Sequence, residues 1–353
     1  MTAITELRRD LPSSCLQLVM RTAADMDSRA WRSANRDLAL RTRIISDCYD
    51  LLEGVSPEGV AECEILHEIL KTIYDREFAS ASFSLANCEV PPILRDVAYI
   101  LERALLEDEM AKVAHLAAEY PTRGNAYVHW LKRLISDHRA SRHPYYHSFI
   151  QDHSTREDLR YLLAQETCID PRFDDILALM QLGAKADAKM ELASNYWDEM
   201  GNGKMSDMHS VLFDEALNEL EITQTYIDEN YLLEAKLCGN VSAALALRRE
   251  NYFMAIGYFG VTEYLVPRRF RNLISAWKRL NLPQKGMHYH DLHISVDAGH
   301  AAGWFKNVVQ PAVDKDPRVG RDIAIGALIR LNTSEKYLDA VLARTGFTGL
   351  SNH

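Results

Sequence analysis

Apolar residues recur three and four positions apart along most of the chain, with charges between them. The stretch VAYILERALLEDEMAKVAHLAAEY (98–120) shows the pattern plainly. That spacing is the mark of amphipathic helix. Alternating apolar and polar runs, which a half-buried strand needs, are nearly absent. An all-α fold is predicted. Past residue 150 the pattern divides into helices over roughly 155–168, 171–182, 184–200, 205–219, 222–238, 240–265, 268–280, 287–301 and 317–345. The expected breaks are Asp170-Pro171, Gly201-Asn202-Gly203, Gly239-Asn240, Pro267 and Pro283, where glycine or proline interrupts the period.

A seam falls at 138–154, where His138, His143, His147 and His153 crowd around Pro144. His143 and His147 are the one pair that would share a helical face, and Pro144 breaks that helix. The segment is expected to be a solvated connector. Ser154 and Glu157 then form a capping box that starts a new helix. The chain is accordingly divided into an N-terminal helical domain (1–150), for support or dimerisation, and a catalytic domain (151–353).

The 353 residues are 47% hydrophobic and 25% charged, with 11 Pro and 16 Gly. This suits a globular chain with long helices and few turns. The net charge is -10 and no basic stripe is present, which argues against a nucleic-acid partner. The start MTAITELRRDLPSS has no apolar core for a secretory signal. No apolar run reaches the roughly 18 residues of a membrane span. The six cysteines, Cys15, Cys48, Cys63, Cys88, Cys168 and Cys238, form no CxxC pair and suit reduced thiols. A cytoplasmic protein, away from membranes and homodimeric through its N-terminal helices, is expected.

The chemistry concentrates in HYHDLHISVDAGHAAGW. On a helix Asp297 lies about 40° from His293, and His300 about 20° to the other side. Val296 and Trp304 flank this stripe, so it faces inward. Burying three such groups is costly unless something binds them. Glu166 lies on the face of Leu159, Leu162 and Leu163. Glu199 lies with Leu192, Asn195 and Tyr196, and Glu263 with Tyr252, Ile256 and Phe259. His209 heads HSVLF and also points inward. Carboxylates and imidazoles spread over several helices form the ligand stock of a two-metal site in a helical bundle. Mixed N/O ligation suits Fe(II), with Mn the usual competitor, and zinc would use fewer carboxylates.

These residues carry a resemblance. LAQE (163–166), NYWDEMGNGKMSDMHSVLF (195–213), the helix with Glu263, and HDLHISVDAGH (290–300) resemble the heme-oxygenase-like diiron oxidases and oxygenases, labelled iron-containing redox enzymes. The pattern is closest to the N-oxygenating members, some of which carry an all-helical N-terminal extension. The resemblance implies a heme-oxygenase-like helical bundle. It implies metal ligands Glu166, Glu199, His209, Glu263, His293, Asp297 and His300, with Glu199, Glu263 and Asp297 catalytic. Glu191 is the alternative to Glu166, because the gap from 166 to 199 is long for the family. Some members carry an acid three residues before the central His; here Ser206 stands there. Two Fe ions cycling between Fe(II) and Fe(III), O2 as co-substrate and an external electron donor or reductase are implied. So is a natural-product role acting on a small amine- or amino-acid-derived molecule, with N-oxygenation favoured over oxidative C–C cleavage or decarboxylation of an amino or fatty acid.

Around these ligands Tyr196, Phe259 and Arg268 are candidate substrate contacts, and Tyr252, Phe253, Tyr258 and Tyr264 could wall a pocket. Arg268, Arg269 and Arg271 follow Pro267, and an arginine there could hold a carboxylate bidentately. The competing classes are a metal-free helical enzyme, an interaction module and, more weakly, a heme enzyme. A thiaminase-like hydrolase would need an activated cysteine, and Cys168 has no His in a suitable local relation to it.

Overall fold

The computed structural model describes residues 28–55, 57–79 and 90–347; the side chains of residues 28–30, 57, 58 and 295–298 lie outside that description. Every regular element among the described residues is helical, as the apolar period predicts. None of these helices is long and apolar enough to cross a membrane. The chain forms two compact units, Met1–Lys112 and Val113–His353.

In the first unit lie α1 (Ser28–Arg36), α2 (Leu38–Glu53), α3 (Glu64–Glu77) and most of α4 (Pro92–Val113). Asp37 caps α2 by accepting from the Leu40 amide. Leu66, Leu70, Ile73 and Tyr74 are buried on α3, and Val97, Leu101 and Leu105 on α4. The Tyr74 hydroxyl donates to buried Glu102 (2.8 Å).

The second unit holds α5 (Gly124–Asp137), α6 (Arg156–Glu166), α7 (Phe173–Met180), α8 (Ala186–Glu199), α9 (His209–Glu219), α10 (Gln224–Asn230), α11 (Leu233–Leu247), α12 (Tyr252–Arg279), α13 (Gln284–Gly303), α14 (Gln310–Lys315) and α15 (Val319–Thr345). The division after Lys112 falls well before residue 150, so the seam belongs inside this unit. There Tyr145, Tyr146, Phe149 and Ile150 form a π-turn buried in the main apolar core. The expected solvated connector is therefore packed interior, because four large apolar side chains outweigh the polar ones around them. His143 is buried against Asp339, and the Tyr145 amide donates to its Nδ1. The capping box forms one residue later than predicted, between Thr155 and Asp158.

α12 is the central helix and packs along both α13 and α15. Glycines permit the closest approach: a Cβ at Gly257 would collide with the Ile323 carbonyl, and one at Gly326 with the Met254 carbonyl. α12 continues through Pro267, where a break was predicted. Proline cannot donate to the carbonyl four residues back, which here is that of Glu263; burial on both faces of α12 holds the helix together instead. α11 likewise runs through Gly239, whose bare Cα packs on the Cys168 carbonyl.

Candidate metal centre

The turn between α8 and α9 builds half of the centre. Gly201, Asn202 and Gly203 all take positive φ (60°, 53° and 85°), a conformation glycine adopts without steric cost. A Cβ at Gly201 would run into the backbone of Asp207 and Met208. This tight return sets Glu199, the last residue of α8, opposite His209, the first of α9. Glu199 Oε2 and His209 Nδ1 lie 2.8 Å apart. Both side chains are buried. The approach lacks hydrogen-bond geometry, and neither ring nitrogen of His209 has a hydrogen-bond partner. A buried imidazole in that state is costly and suits a ligand seated between the two residues.

α13 supplies the third member. One ligand atom from each of Glu199, His209 and His293 lies within 4.8 Å of the other two. His293 Nδ1 donates to the Tyr289 carbonyl one turn back (2.7 Å), which leaves Nε2 as the nitrogen a metal could take, a common arrangement for metal-binding histidines. Burial, with His209 beside it, pushes the His293 imidazole well below its ordinary pKa and keeps it neutral, the form that binds metal. Phe270 and Tyr289 pack around the rings.

A second group adjoins it. His300 Nε2 lies 2.7 Å from Asp198 Oδ2, and its Nδ1 faces Glu263 Oε2 at 3.8 Å. Glu263 and His300 are both buried. The side chain of Asp297 lies outside the described residues, although its backbone continues α13 between His293 and His300.

Glu199, Glu263 and His293 share a cavity of about 40 Å³ with Asp170, Phe173 and Phe270. Asp170 was not foreseen. It opens a short 3-10 turn after α6, and its Oδ2 accepts from the Tyr289 hydroxyl (3.1 Å). Burial first, then the charges of Glu166 and Glu199, push its carboxyl well above the usual range. The only trace of it in the sequence is Asp170-Pro171, which reads there as a helix break.

Glu166 lines an adjoining cavity and accepts from the Tyr146 hydroxyl (3.1 Å). Glu191 is engaged elsewhere: its carboxylate accepts from Asn307 (2.6 Å) and occupies the space left by the missing side chain of Gly303. Among the candidate substrate contacts, Phe259 is fully buried one layer behind the wall, edge-on to Phe173. Tyr196 is half-buried and lines neither cavity. Arg268 is exposed, and its neighbour Arg269 turns inward; with α12 unbroken at Pro267, the inward position moves on by one residue. The aromatic stripe serves packing: Tyr258 donates to the Cys238 carbonyl (3.2 Å), and Tyr252 packs edge-on against Phe253. Burial holds the Cys168 thiol well above its ordinary pKa, which disfavours a nucleophilic thiolate there.

No curated protein matches the chain. Residues 160–335, the segment that holds Glu199, His209, Glu263, His293 and His300, match the model of a family described as iron-containing redox enzyme.

Proposed function

We propose that the chain is an oxidoreductase with a two-iron centre that uses O2 and an external electron donor on a small amine- or amino-acid-derived substrate. The observation that carries the metal reading is buried His209, with neither ring nitrogen hydrogen-bonded, beside Glu199 and His293. The family match supports iron and redox chemistry. The donor set fits: imidazoles and carboxylates of this mix suit Fe(II). Glu199, His209 and His293 would hold one ion with Asp170, and Glu263 and His300 a second together with Asp297. When bound, iron supplies the electrons and Lewis acidity for oxygen activation.

The protein's own residues set the conditions. The Tyr289 carbonyl fixes the His293 tautomer, and Asp198 does the same for His300. The Tyr289 hydroxyl steadies one Asp170 oxygen and so orients the carboxylate. Phe173, Val266 and Phe270 give the cavity an apolar wall, which lowers the water content around the reacting groups. N-oxygenation, rather than C–C cleavage, remains the favoured outcome, by resemblance to the N-oxygenating members. Assembly as a homodimer and a natural-product role are parts of the same proposal.

Anaerobic Fe(II) titration followed by O2 exposure tests it. Saturation near about two Fe(II) per chain and O2 consumption with a donor are expected. No saturable binding would leave the inward acids structural and favour a metal-free helical protein.

A further inference from the structure

Beside the metal centre lies a second chamber of about 60 Å³. It shares Ile169, Asp170, Thr262, Val266 and Phe270 with the first. Its far wall is cationic. Arg269 and Arg330 both line it, and among the described residues neither is in an ion pair. Arg330 Nε donates to Thr262 (2.9 Å), and Arg269 donates to Ser334 (2.7 Å) and the Ala140 carbonyl (3.2 Å). Each guanidinium has five N–H donors, so most of theirs are uncommitted. Tyr337, buried on the same wall, has a hydroxyl with no hydrogen-bond partner. Glu166 is the chamber's own acid and is already engaged by Tyr146. Asp170, shared with the first cavity, is engaged by the Tyr289 hydroxyl, so two guanidiniums face one carboxylate that belongs to this chamber alone, and one positive charge is left unmatched.

We infer that this chamber seats the carboxylate of the substrate, held by Arg269, Arg330 and the Tyr337 hydroxyl, while the rest of the molecule passes Val266 and Phe270 to reach the metal centre. The substrate class is thus a carboxylic acid whose middle is apolar and whose reacting end is remote from the acid group. Planar guanidinium suits carboxylate because it offers paired, parallel N–H donors. A buried cation without a matching anion is unfavourable, and an arriving carboxylate relieves that. The role as substrate rests on the proposed oxidoreductase; the binding does not.

The test is calorimetric titration of the full chain with hexanoate and with its neutral isostere hexanamide, in iron-free and anaerobic Fe(II)-loaded forms. Hexanoate should bind saturably in both forms and at least about tenfold more tightly than the amide, since hydrogen bonds to charged groups are the strong ones. Arg330→Gln should weaken hexanoate by about tenfold or more and leave Fe(II) stoichiometry unchanged. Tyr337→Phe removes only an unpartnered hydroxyl and should fold normally; it should weaken hexanoate and not hexanamide. Equal binding of acid and amide, no saturation, or binding that appears only with iron present would overturn the inference. Hexanoate binding without saturable iron would instead retain the anion site and sink the oxidoreductase reading.

Discussion

Nε2 of His300 lies 2.7 Å from Oδ2 of Asp198, the residue immediately before Glu199. One pair of adjacent acids at the end of α8 therefore serves both halves of the centre: Glu199 faces His209, and Asp198 orients His300. Carboxylates behind ligand histidines commonly set ring orientation and basicity, and losing one costs about 10–100-fold in metal affinity or activity. Asp198→Asn should lower Fe(II) affinity within that range without changing the helical circular dichroism. Asp207→Asn, on an acid that accepts from Ser206 away from the cluster, is the control. Equal affinities for the two variants would remove Asp198 from the centre.

The turn at 201–203 invites a second test. Gly201→Ala must place a Cβ at φ 60° against the Asp207 backbone. Strain of this kind costs about 1–3 kcal/mol, or a fall in melting temperature of roughly 2–4 °C per kcal/mol for a unit of this size. Iron affinity should fall as well, because the turn sets the Glu199–His209 spacing. An unchanged melting temperature would show that the turn relaxes freely.

His290 gives a pH signature that needs no metal. It is fully buried between Phe270 and Trp277, with no partner for either ring nitrogen, and burial pushes its imidazole down to about 3. In the unfolded chain it would titrate near about 6.5. As pH falls below that value the unfolded state takes a proton that the folded state refuses, so stability present above pH 6.5 is lost progressively towards pH 3. His293 acts in the same direction. Urea midpoints of iron-free protein should fall between pH 7.5 and 5, with His290 contributing about 2 kcal/mol. His290→Leu should flatten that slope. Equal slopes would mean that the folded interior protonates His290 at little cost.

The helical class and most elements are legible in the apolar period, since each helix of the second unit needs an inward stripe. The break at glycines 201 and 203 is legible too, because local backbone chemistry dictates it, whereas the grouping of Glu199 with His209 across that break comes from the family resemblance. What escaped depends on tertiary packing. Pro267 and Gly239 look like breaks, yet α12 and α11 are held from outside by neighbouring helices, and Gly239 serves close approach to Cys168. Arg269 replaces Arg268 in the cavity wall because one position along a helix turns a side chain by about 100°. The apolar side chains of the 138–154 seam were overshadowed by its four histidines.

Asp170 is the sharpest case, and the last test separates it from the acids foreseen in its place. Asp170 shares the cavity of Glu199 and His293, Glu166 lines the chamber of the two arginines, and Glu191 is tied to Asn307 beside Gly303. Asp170→Asn keeps the size and the acceptor for Tyr289 but removes the charge, and should weaken Fe(II) binding by about tenfold or more, given the loss of a charged ligand. Glu191→Gln should leave iron affinity unchanged and cost stability alone. Glu166→Gln should also leave iron in place, and should strengthen hexanoate binding by removing the acid nearest the carboxylate seat. Loss of iron in Glu166→Gln with full iron in Asp170→Asn would reverse the assignment. It would make Glu166 the first ligand and leave the guanidiniums facing an acid already committed to the metal.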